Sequence, residues 1–165
     1  MAAGSTYTPI ATTTLGSAAS SYTFSSIPST YTDLVVMIQS IDSNNATPQM
    51  QFNNDTATNY SNTSLYGNGT SAASGRNSNT TSIYLDDQLT ASTTNPSIII
   101  INVQNYANTT TYKTAILRDN RNGGIMANVG LWRSTSAINR IDFTRGGGGT
   151  FNTGSTFTLY GIAAA

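Results

Sequence analysis

"FTRGGGGTFNTGSTFTLYGI", from Phe143 to Ile162, sets a run of four glycines between two segments that alternate apolar and polar residues. In the first, Ile141 and Phe143 share one face and Arg140 and Asp142 the other. In the second, Phe157 and Leu159 face away from Thr156, Thr158 and Tyr160. Period two is the signature of a strand with one face covered and one wet. The glycines between two such strands predict a long hairpin tip, where positive φ carries no steric cost. A phosphate-cradling loop would need a helix behind the glycines, opening on Lys-Ser/Thr, and none follows.

The same period runs through the rest of the chain, and no window sustains an amphipathic helix. "YTPIATTT" and "SYTFSSI" read as short strands, and Pro9 places the first of them at a sheet edge. "DLVVMIQSI" is apolar on both of its faces, which predicts a central strand covered on both sides. "SIIIINV" has the same character and belongs deep in the sandwich or at a subunit contact. Between these two lies a polar stretch, residues 42–95, with three weaker strand candidates, "QMQFN", "TSLYG" and "TSIYLDD". "TTYKTAILRD" and "GIMANVGLWRS" flank Asn122-Gly123, a tight-turn signal. The expected fold is all-β: a single antiparallel, jelly-roll-like β-sandwich over residues 1–165, of about eight to ten strands. Residues 1–10 form a candidate N-terminal arm. The expected core is Leu34, Val36, Ile38, Ile99, Ile101, Ile116, Ile141, Phe143, Phe157 and Leu159.

Composition supports sheet and narrows the chemistry. Ser, Thr and Asn make up about two residues in five, and Thr and Tyr favour pleated surface. Cys and His are both absent, which removes disulfides, thiolate and imidazole metal sites, and most nucleophilic triads. Net charge is zero, yet the acids concentrate before Asn95 and the bases after it. Interleaving of strands from the two halves would cancel that asymmetry in space. No clustered basic face suggests nucleic acid, and no segment is apolar for long enough to span a membrane as a helix. The first residues lack the basic and apolar regions of a signal peptide.

Few constellations invite chemistry. Asp86 and Asp87 are adjacent, so on a strand they point to opposite faces and read as a solvated strand end; with Asp55 they mark the one region where calcium would bind if any does. Lys113 is the only lysine and no nucleophile elbow accompanies it. The expectation is a protein that is not an enzyme and takes no metal or organic cofactor. Trp132 beside Arg133 could stack on a sugar or anchor a protein interface, or could be a half-buried aromatic at a strand end.

"IATTTLGSAASSYTFSSIPSTYTDLVV" (Ile10–Val36), "INRIDFT" (Ile138–Thr144) and "GSTFTLYGI" (Gly154–Ile162) together resemble a pattern in small virion structural proteins of tailed bacteriophages. The resemblance covers roughly the first quarter and last fifth of the chain. It implies a phage β-sandwich that is assembled in the host cytoplasm and located in the virion. The favoured role is a capsid decoration or cement protein that binds the major capsid protein of the assembled shell. A tail or fibre module reading a host-surface glycan is the alternative. A homotrimer is expected, by the habit of virion accessory proteins of sitting on symmetry axes. The residues expected to contact partners are Tyr7, Pro9 and Ile10 in the arm, with Trp132 and Arg133.

Overall fold

The computed structural model describes residues 6–44, 46–86, 93–121 and 123–163. Among the described residues twelve strands form two antiparallel sheets packed face to face, so the all-β sandwich expected from the alternation is the fold observed. The strands are β1 (Tyr7–Thr14), β2 (Ser21–Phe24), β3 (Asp33–Ser40), β4 (Pro48–Phe52), β5 (Tyr60–Gly67), β6 (Ala72–Thr80), β7 (Ile83–Tyr84), β8 (Ser97–Gln104), β9 (Lys113–Arg121), β10 (Gly124–Trp132), β11 (Ile141–Arg145) and β12 (Thr156–Ile162). The larger sheet runs β1-β12-β3-β8-β9-β10-β5-β6, and the smaller runs β2-β11-β4-β7. No strand pairs outside antiparallel register among the described residues, and the chain repeatedly crosses between the sheets.

The core lies between them. Leu34, Val36 and Ile38 on β3 stand opposite Val103, Ile101 and Ile99 on β8 and Gly161, Leu159 and Phe157 on β12. From the smaller sheet, Phe52, Ile141 and Phe143 close over them, and all are essentially inaccessible to water. Nine of the ten expected core residues are buried; Ile116 is not, at 42% exposure. On β9 the register runs the other way, with Lys113, Ala115, Leu117, Asp119 and Arg121 inward. Three of these five are charged, so reading charges as outward reverses the strand.

Three further expectations change. The glycine run does not close a hairpin, because β11 belongs to the smaller sheet and β12 to the larger. Gly146–Gly148 instead form a single 3-10 turn, with Gly147 and Gly148 at φ 60° and 75°. A Cβ on Gly149 would meet Asn44 Oδ1 at 2.5 Å, so this loop needs glycine for close approach as well as for φ. The turn delivers Phe151 into the core, where it bridges to Ala19 and Asp42 and meets Phe157 edge-on at 5.1 Å. Residues 1–5 of the expected arm lie outside the described residues, and residues 7–10 are not free: they are the first half of β1, paired along β12, and Ile10 packs against the core. β1 is a sheet edge, as Pro9 suggested. Finally, β3 and β8 are central, but among the described residues their outer face is covered only in part: Val35 is buried, whereas Met37 and Ile98 are 39% and 42% exposed.

Candidate functional site

The larger sheet has one face on the core and one in water. Register places its outer residues in rows across the strands. One row runs Met37, Ile100, Arg118, Ala127, Leu65, Ser74. Beside it runs Ile98, Asn120, Ile125, and on the other side Ile116, Val129, Thr63. Ile125 and Leu65 are 68% and 64% exposed, and Val129 is 47%. Together with Ile98, Ile100 and Ala127 the first two line a shallow apolar groove of about 840 Å³.

The polarity of this half of the sheet is inverted. β10 turns Ile125, Ala127 and Val129 to solvent while its inner face carries Asn128, which donates from Nδ2 to Tyr84 O at 2.7 Å. β5 likewise turns Asn62 and Ser64 inward and Leu65 outward. A sheet under no demand but folding puts apolar residues on the covered face and polar ones on the wet face. Here both faces are apolar in part, which makes the outer one a candidate interaction surface.

Arg121, facing inward from β9, meets two acids of the chain's first half. Arg121 places Nη1 2.7 Å from Asp42 Oδ2 and Nε 2.6 Å from Asp86 Oδ2. Arg145, from the end of β11, lies 3.3 Å from Asp42 through Nη1 and stacks its guanidinium 5.6 Å from the Phe151 ring centre. All these side chains are at most 1% exposed. Burial, the neighbouring Asp86 charge and a hydrogen bond with Asp86 push the Asp119 carboxyl up to about 8, and burial pulls the Arg145 guanidinium down to about 10. Two bases of the chain's second half thus meet two acids of its first half across the sandwich. Asp86 is not the solvated strand end expected of it, and Asp87 lies outside the described residues.

Trp132 is 2% exposed, so it offers no surface to a partner. Its ring stacks on Tyr60 at 6.1 Å and its indole N–H donates to Asp55 Oδ2 at 2.7 Å. Burial works against the Asp55 carboxylate. Hydrogen bonds from Asn59, the Ala57 amide and Trp132 outweigh it and hold the carboxyl below its usual range. Asp55 and Asp86 bond residues at opposite ends of the β9–β10 ladder, Trp132 and Arg121, and so do not share a site. Arg133 is half-buried and donates through Nη2 to Thr58 O and Asn79 Oδ1, each at 3.0 Å. Tyr7 and Pro9 are exposed on β1, far across the sheet from both. The five expected contact residues therefore do not converge. The buried Lys113 ammonium donates to Thr111 O and Thr135 O at 2.8 and 3.2 Å and so ties two loops together.

No family model matches the chain, and no curated protein does. Among solved structures, the chain is similar to a crystal structure of exo-inulinase from Aspergillus awamori, at 15% identity and a TM-score of 0.45. The match covers 94% of this chain and 29% of the enzyme.

Proposed function

We propose that the chain is a non-catalytic virion structural protein of a tailed bacteriophage that decorates the assembled head, docking through the outer face of the larger sheet. The observation that carries the reading is the apolar outer face itself, with Leu65 and Ile125 about two-thirds exposed and no covering element among the described residues. Such a surface gains from docking by burying apolar area at roughly 25 cal/mol per Å². The neutral, hydroxyl-rich remainder keeps the free protein from repelling its neighbours on a crowded shell. The phage assignment draws on the resemblance of residues 10–36, 138–144 and 154–162.

A tail module that reads a glycan would want an exposed aromatic platform, and the only tryptophan is engaged in the core. Counting copies in purified particles tests the proposal. Hundreds of copies on the head, released by Leu65→Asp or Ile125→Asp in a protein that still folds, are expected. A few copies confined to the tail, or particle binding unchanged by both substitutions, would overturn it.

A further inference from the structure

The two edges of the larger sheet differ. β1 carries Pro9, which has no N–H to offer, and a bulge between Pro9 and Ala11. β6, at the opposite edge, has no proline and no lysine, and its register shift falls at its end, beside Tyr60, leaving Ala72 to Ser78 in unbroken register against Gly67 to Ser61. Antiparallel ladders alternate hydrogen-bonded and open pairs, and Ser64 on β5 donates from Oγ to Gly75 O at 3.4 Å, so the Gly75 carbonyl faces β5. The alternation along the register then turns the backbone of Ala73, Gly75 and Asn77 towards β5. It turns the N–H and C=O groups of Ala72, Ser74, Arg76 and Ser78 away from the sheet. These four residues are exposed, and three have side chains too small to screen the backbone.

We propose that β6 is the pairing edge of a two-fold homodimer, in which the β6 of a second copy adds antiparallel with Ser74 on the axis. Three features favour a second copy as the occupant. Antiparallel pairing of identical strands is two-fold by construction, so one edge satisfies the other completely. Blunting of β1 stops head-to-tail addition, which through two open edges would run on into a fibre. With Ser74 on the axis, Arg76 falls opposite the second copy's Ala72, which keeps the two guanidiniums apart. The outer row Ala127, Leu65, Ser74 then continues into its counterpart. Zero net charge adds no long-range repulsion. The symmetry is two-fold rather than the three-fold expected from sequence, and it rests on the backbone edge, independently of what docks on the outer face.

The chain contains no cysteine, so a single introduced thiol reports contact cleanly. Mild oxidation of Ser74→Cys at low protein concentration is expected to give mostly disulfide-linked dimer within minutes. Thr12→Cys, exposed on β1, is expected to stay largely monomeric. Sedimentation equilibrium of the unaltered chain is expected to give twice the 17.4 kDa chain mass. Ser74→Pro removes an outward N–H and should weaken association by about tenfold or more while leaving the sheet circular dichroism unchanged. A monomer or trimer by sedimentation, or equal cross-linking of the two cysteine variants, would overturn the proposal, and neither result depends on the proline variant folding.

Discussion

Arg121 on β9 reaches Asp42, 79 positions earlier in the chain, with Nη1 2.7 Å from Oδ2, in the interior between the two sheets. The pair ties the larger sheet to the bridge that Asp42 makes with Phe151, and so holds the glycine loop in place. An ion pair with no access to water contributes little net stability when intact, because desolvation offsets the attraction. Its loss is another matter.

Arg121→Met removes the cation 2.6 Å from Asp86 and one of the two that face Asp42, with Arg145 remaining at 3.3 Å. The cost is expected to be about 3–5 kcal/mol, read as the drop in unfolding free energy in urea. A loss under about 1 kcal/mol would show that water reaches the cluster.

Asp119 gives the protein a pH dependence opposite to that of a salt-bridged acid. Its carboxyl is raised from 3.8 to about 8, so the folded state keeps a proton that the unfolded chain releases. Between those values unfolding releases a proton, and stability falls as pH rises, levelling off above about 8. Melting temperature is expected to decline from pH 5 to pH 8.5, and Asp119→Asn to flatten that decline. An identical slope in the variant would place the titration elsewhere.

Ile116 and Ile141 separate the two faces. Ile141→Ala empties a fully buried site and should cost about 2–5 kcal/mol, whereas Ile116→Ala on the outer face should change stability by roughly 0.5 kcal/mol or less. Phe157→Ala should behave as Ile141→Ala does. Comparable losses at Ile116 and Ile141 would mean that β9 is in the other register.

The strands readable in the sequence are those whose apolar residues face the core, as in β3, β8, β11 and β12. β6 is unreadable for the opposite reason: "AASGRNSNT" has no apolar alternation, and it is a strand because β5 folds back on it. Asn68 makes that return by accepting from the Thr70 and Ser71 amides. β9 is unreadable at Ile116 because Lys113 finds backbone carbonyls and Arg121 finds Asp42 and Asp86, partners that no local pattern shows. Distance along the chain likewise hides the roles of Asp86 and Trp132, whose partners are Arg121 and Asp55. The outer face was half visible, since the two-sided apolar character of "DLVVMIQSI" and "SIIIINV" is what leaves Met37 and Ile98 exposed.

Asp55 and Trp132 supply a second pH signature of opposite sign. Asp55 accepts from the Trp132 indole, from Asn59 Nδ2 at 2.9 Å and from the Ala57 amide at 2.9 Å, and its carboxyl is held below 3.8. A lowered carboxyl contributes stability that is present above the unfolded value and is lost as pH falls through the folded one. Asp55→Ala strands a buried indole N–H and should cost about 1–3 kcal/mol at neutral pH. The difference between variant and unaltered protein should shrink in acid, as protonation strips the unaltered Asp55 of its charge-assisted bonds. With a single tryptophan in the chain, fluorescence excited at the red edge, where tyrosine does not absorb, reads this site alone, so a red-shifted emission in Asp55→Ala is expected together with the stability loss. A penalty that stays constant from pH 7 down to pH 3 would mean that the side chain acts through packing and not through the charge on its carboxylate.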